Sequence, residues 1–159
     1  MSQSMSSTTT IPSPSFCLST SQTSAVDHCL RYPSVLLIAD KGAGKTRTGL
    51  AVAYESGGNV LILCPNKVRG GWIAEGAKCG VPITLIEGNP AERMGQLAAG
   101  GIMVMGVDLL PWLRDCWPPL DGLILDETTR YSKPGSKGTR ILRVMRKKVE
   151  WVLGLTASP

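Results

Sequence analysis

The stretch SVLLIADKGAGKT, residues 34–46, runs from unbroken aliphatic residues into a glycine-rich turn that ends in Gly-Lys-Thr. Consecutive apolar residues of this length suit a strand covered on both faces. Just beyond it, Leu50, Ala53 and Tyr54 keep the i, i+3, i+4 spacing of a helix, and Gly57 and Gly58 supply its stop. A strand, a glycine turn and a helix N-terminus in that order wrap backbone N–H groups around phosphate oxygens, and the helix dipole reinforces them. The cradle is predicted to comprise Lys41, Gly42, Ala43 and Gly44, the two glycines letting the backbone approach the phosphates. Lys45 is then a point charge on the β and γ phosphates, and the Thr46 hydroxyl a ligand to Mg²⁺.

Outward from this turn, aliphatic runs recur at 59–64, 82–87, 101–106, 122–126 and 151–156, separated by segments of helical period. Asn89 and Pro90 read as an N-cap and first helical residue, with Met94, Leu97 and Ala98 directed inward and Gly100 closing the helix. A further helix is predicted over about Lys137 to Lys148, with Ile141, Val144 and Met145 inward. Strands alternating with helices imply βαβ units. The expected fold is α/β: a single P-loop domain whose parallel sheet carries helices on both faces. Residues 1–24 hold nine Ser and five Thr and no charge. Such a composition buries little apolar surface, so residues 1–20 are expected to be disordered and 21–159 to form the domain.

The second chemical element is Asp126-Glu127, which closes the aliphatic run GLIL. An α/β sheet presents its functional groups at the carboxyl ends of its strands, and two adjacent carboxylates there divide labour. Asp126 is expected to hold Mg²⁺, directly or through water, while Glu127 orients and deprotonates an attacking water.

The form A-x-x-G-x-G-K-T, with Ala39 where a strict phosphate loop has glycine, resembles the first motif of superfamily-two helicases. The segment DETTRYSKPGSKGTRILRVM, residues 126–145, looks like the DE-box region of Swi/Snf-type helicases, with Thr128 and Thr129 in place of the last two letters of DEAH. PNKVRGGWIAE, residues 65–75, resembles the family's P-x-x-L-x-x-x-W-x-x-E motif, although Gly70 and Gly71 weaken the helix expected there. The terminal LTASP, residues 155–159, is similar to its LTGTP. The resemblance spans residue 20 to the end and implies a RecA-like, ATP-binding first lobe of a DNA-dependent ATPase. It implies an adenine-reading role for Gln22. It places Pro65, Asn66 and Lys67, with the Met105–Asp108 region, near the DNA backbone. Thr156 and Ser158 would relay nucleotide state to that surface. In the family the ATP site lies between two lobes, and the second supplies arginines to the transferring phosphoryl group. With sequence only through the third motif, weak nucleotide binding and slow hydrolysis are expected unless a second RecA-like lobe, in another chain or a further C-terminal region, completes the cleft.

Composition narrows the alternatives. The formal net charge of +5 favours a polyanionic partner such as DNA. Five cysteines without close pairing read as free thiols, and one histidine leaves little for a histidine metal site. No apolar run reaches membrane-spanning length and no signal peptide opens the chain, so no membrane partner is expected and the location is cytoplasmic, or nuclear in a eukaryote. Residues 130–148 carry eight basic residues and no acid, which suits either phosphate contact or a solvated face. Trp72 reads as a core anchor. Two rival functions stay open: a self-sufficient P-loop kinase for a small molecule, with the basic stretch as its lid, and a non-catalytic DNA-binding remnant.

Overall fold

The computed structural model describes residues 13–131 and 133–157. Its strands β1 (Ser34–Ile38), β2 (Val60–Cys64), β3 (Thr84–Ile86), β4 (Ile102–Gly106), β5 (Gly122–Asp126) and β6 (Trp151–Thr156) fall on the six aliphatic runs. They make one sheet in the order β1-β6-β5-β2-β4-β3, with every neighbouring pair parallel. Five helices supply the crossovers: α2 (Lys45–Ser56), α3 (Arg69–Cys79), α4 (Pro90–Ala99), α5 (Leu110–Asp115) and α6 (Lys137–Arg146); α1 (Thr20–Arg31) precedes the sheet.

The strand order decides which face each helix covers. The steps from β1 to β2 and from β2 to β3 run one way along the sheet, and the three that follow run back. Right-handed crossovers therefore place α2 and α3 on one face and α4, α5 and α6 on the other. Strand residues alternate between the two cores accordingly. Val60, Ile62, Val104, Ile124 and Leu153 join Leu50 and Trp72 on the first face. Leu61, Leu63, Met103, Met105 and Leu123 meet Leu97, Leu113, Ile141 and Met145 on the second. This is the expected parallel α/β sheet with helices on both faces.

Several local expectations are corrected. β1 is an edge strand, and Leu36 and Ile38 are about half exposed because no helix covers them on the second face. In α4 the predicted caps form, with Asn89 and Glu92 exchanging side-chain and backbone bonds of 3.0 and 2.7 Å. Of its three inward residues only Leu97 is buried, however; Met94 and Ala98 face outward, since a short helix beside the edge strand β3 needs only a narrow apolar stripe. In α6 Leu142 takes the buried place assigned to Val144.

At the N-terminus, residues 1–12 lie outside the described residues, but residues 13–20 do not form the expected disordered segment. Phe16 and Leu18 pack on the first core, the Phe16 ring sits 5.7 Å from that of Tyr54, and the Ser15 N–H donates to the Cys79 carbonyl at 3.0 Å. Two apolar residues with a ready-made surface suffice to order a stretch whose composition is otherwise polar. Helix α1, α5 and the short 3-10 turn at Asn66–Val68 were not among the expected elements, although α1 shows Val26, Cys29 and Leu30 at i, i+3, i+4 behind a Ser19–Gln22 capping box.

Candidate functional site

The turn after β1 is built around two left-handed residues, Gly42 at φ +83° and Gly44 at φ +79°. A side chain is strained in this region, so glycine is the residue that lets the turn tighten and α2 begin at Lys45. The Lys45 ammonium donates to the carbonyls of Ala39 at 2.5 Å and Asp40 at 2.8 Å, which folds it back over the mouth of the turn. Lys41, Gly42 and Ala43 are exposed on the rim, and Thr46 is half-buried in the first turn of α2. Gln22, from α1, spans the turn: its Oε1 accepts the Ser19 N–H at 2.8 Å as part of a capping box, while its Nε2 donates to the Ala43 carbonyl at 3.1 Å. Gln22, Gly42, Gly44, Lys45 and Thr46, with Arg47 and Glu75, line an open cavity of about 410 Å³.

The acidic pair stands at the same edge of the sheet. Ile38 pairs with Thr156, and Leu155 with Asp126, so one strand separates the phosphate loop from the carboxylates. Two interstrand spacings make that about 10 Å. Thr156 is buried between them and its carbonyl accepts the Ala39 N–H at 3.1 Å. Asp126 has its pKa raised, chiefly by burial. The Trp72 hydrogen bond, the Glu127 N–H and the Lys45 charge pull the other way, and the Glu127 charge adds to the rise. Glu127 holds φ +55°, rare for a residue with a side chain and a departure from the straight strand.

Farther along the same edge come Pro65, Asn66 and Lys67 after β2 and Gly106–Asp108 after β4, in adjacent positions because Cys64 pairs with Gly106. The Asn66 side chain packs so closely on Gly106 that a methyl group there would collide with it. Thus the predicted residues that the structure describes follow one another along a single carboxyl rim. Ser158 lies outside the described residues.

Sequence reasoning missed how α3 ties the two halves together. Trp72 is the expected core anchor, 1% exposed, but its indole N–H also donates to Asp126 Oδ2 at 2.9 Å. One turn later Glu75 forms a 2.6 Å ion pair with Arg47, the residue after Thr46. The W-x-x-E spacing puts both on one side of a helix, yet only the fold reveals their partners.

Among the described residues no cluster of three or more His, Cys, Asp or Glu is placed to hold a metal. The Thr46 hydroxyl and the Asp126 carboxylate are hard oxygen donors. Such a sparse set fits Mg²⁺, which completes its shell with phosphate oxygens and water rather than with an all-protein cage. No helix among the described residues is long and apolar enough to cross a membrane.

No protein-family model matches the chain, and no curated protein does. Among solved structures, the SWI2/SNF2 ATPase core of Sulfolobus solfataricus in complex with dsDNA is similar over 88% of this chain, with a TM-score of 0.74 and 19% sequence identity. The match covers 32% of the Sulfolobus chain, so the present chain spans about a third of that protein's length. At this identity the likeness is one of fold: a RecA-like α/β domain.

Proposed function

We propose that this chain is the ATP-binding lobe of a DNA-dependent ATPase of Swi/Snf helicase or translocase type, coupling MgATP hydrolysis to movement on DNA or its remodelling. The observation that carries the reading is the placement of the Lys45 loop and the Asp126–Glu127 pair on one rim, with a single strand between them.

In this reading the backbone N–H groups of Gly42–Lys45 and the α2 dipole receive the phosphates, and Lys45 exchanges its carbonyl partners for the β and γ oxygens. Thr46 and Asp126 would hold Mg²⁺, which would supply charge neutralisation at the phosphates. Glu127, set off the strand axis by its left-handed backbone, takes the proton of the attacking water. Gln22 reads the adenine edge. Asn66 and Lys67 after β2 and Val107–Asp108 after β4 face the DNA backbone, whereas Pro65 and Met105, expected beside them, are buried and only position these turns. Thr156, between the two halves of the site, transmits nucleotide state. A second RecA-like lobe supplies the arginines that complete the cleft.

The test is thermal denaturation with MgATP, joined to ATPase assays with and without duplex DNA, on this chain alone and linked to an arginine-bearing second lobe. Saturating MgATP stabilises the chain by about 2.7 kcal/mol at a hundredfold excess over Kd. Lys45→Ala abolishes that shift, Glu127→Gln keeps it, and DNA-stimulated hydrolysis by the linked protein requires both residues. Phosphoryl transfer to a nucleoside without DNA stimulation, or a Lys45→Ala protein unchanged in nucleotide binding, overturns the proposal.

A further inference from the structure

Helices α5 and α6 lie on the second face of the sheet, and an open cavity of about 470 Å³ runs beside them. Its apolar lining is Trp117, Ile141, Val144 and Met145; its charged lining is Arg114, Lys137, Arg140 and Lys148. Ile141 and Met145 continue into the core beneath, whereas Val144 is 51% exposed. Arg114 is paired with its neighbour Asp115 at 2.8 Å. Lys137, Arg140 and Lys148 form no ion pair with any described residue. From Lys137 to Lys148 the chain carries six cations and no acid.

Asp115 compensates Arg114 and lies within reach of the Lys137 charge, so the excess of positive charge around this apolar floor rests chiefly on Arg140 and Lys148. Such a floor and rim have the anatomy of an interface core with a charged edge. We infer that this face of α5 and α6 is a docking site for an acidic peptide segment of a partner protein, one that presents aliphatic or aromatic side chains between its carboxylates. The carboxylates pair with Lys137 and Arg140, while the apolar side chains cover Val144 and the floor around it.

The chemistry disfavours other occupants. A phosphodiester backbone has no apolar group to bury on Val144 and Met145. A stacked nucleobase needs a free aromatic face, and the Trp117 ring already carries the Lys148 ammonium 5.3 Å from its centroid. The chain's own N-terminal residues 1–24 contain no charged residue, and a second copy, at net charge +5, would be repelled. The site shares no lining residue with the cavity at the phosphate loop, so it stands independently of the proposed ATPase activity.

Fluorescence anisotropy of the full chain with labelled synthetic peptides tests this. A peptide alternating Asp or Glu with Leu or Phe binds, and its affinity falls as salt is raised. A peptide of equal charge with Ser at the apolar positions binds at least about tenfold more weakly. Val144→Asp and Arg140→Glu, both at exposed positions of α6, each weaken the first peptide about tenfold and leave the MgATP-induced melting shift as it was. Equal binding of the two peptides would reduce the site to surface charge and overturn the proposal, as would absence of binding. So would a result in which the same substitutions weaken a duplex oligonucleotide instead of the peptide. Loss of the MgATP shift in wild-type protein would count against the ATPase reading alone.

Discussion

The indole N–H of Trp72 and the carboxylate of Asp126 meet at 2.9 Å across the interface of α3 with the sheet. Burial makes the ionised carboxylate costly, and this bond is one of the groups that hold it charged. Because α3 also carries Glu75, paired with Arg47 beside the phosphate loop, one helix fixes the spacing between the two halves of the candidate site.

Trp72→Phe keeps most of the ring and removes the donor. The Asp126 pKa, already raised, then rises further, so the carboxylate takes up its proton at a higher pH. The acid limb of Mg²⁺-dependent ATP affinity moves to higher pH, and the protein loses about 1.5–3 kcal/mol for a hydrogen bond to a charged group. ATP affinity measured against pH at constant Mg²⁺ checks this; a lower melting temperature with an unmoved pH profile would mean that Trp72 only packs.

Gln22→Glu separates capping from recognition. The variant retains an acceptor for the Ser19 N–H but has no donor for the Ala43 carbonyl, which now faces a charge. Thermal stability without nucleotide falls by about 0.5–1.5 kcal/mol for the lost hydrogen bond to Ala43, while the α1 cap persists. The preference for ATP over GTP declines, as competition binding will show; an unchanged preference removes Gln22 from adenine reading.

Two glycines of α3 make opposite forecasts. A methyl on Gly76 would sit 2.6 Å from Ile83 Cδ1 and 2.8 Å from the Val81 carbonyl, and that carbonyl belongs to backbone. Gly76→Ala therefore destabilises by about 1–3 kcal/mol. Gly71 has nothing within 4 Å of the same position, so Gly71→Ala stabilises by about 0.5–1 kcal/mol through helix propensity alone. Chemical denaturation of the two variants decides both.

Cysteine reactivity reports the core. Burial, with the Asp126 charge, pushes the Cys64 thiol up to about 12, against a smaller opposing effect of Arg69. At pH 8 it stays protonated, and alkylation mapped by mass spectrometry should modify exposed Cys17 quickly and Cys64 only once the protein is unfolded. Comparable rates at the two positions in the native protein would show the first core to be open.

Much of the fold was legible because its signals are local. Six aliphatic runs marked six strands, Gly42 and Gly44 marked a turn that only glycine closes comfortably, and Asp126-Glu127 stood at a strand end where α/β sheets present polar groups. Periodicity reports that a segment is buried, not what buries it. Strand order therefore came only with the tertiary structure: it exposed Leu36 and Ile38 on the edge strand, and it brought Pro65–Lys67 beside Gly106–Asp108. It also drew Trp72 onto Asp126 from 54 positions away. Phe16 and Leu18, lost in a polar stretch, became ordered because a finished core offered them a surface. Local chemistry in the chain thus determined the elements and the reactive groups, while long-range pairing, which no window of sequence contains, decided how they meet.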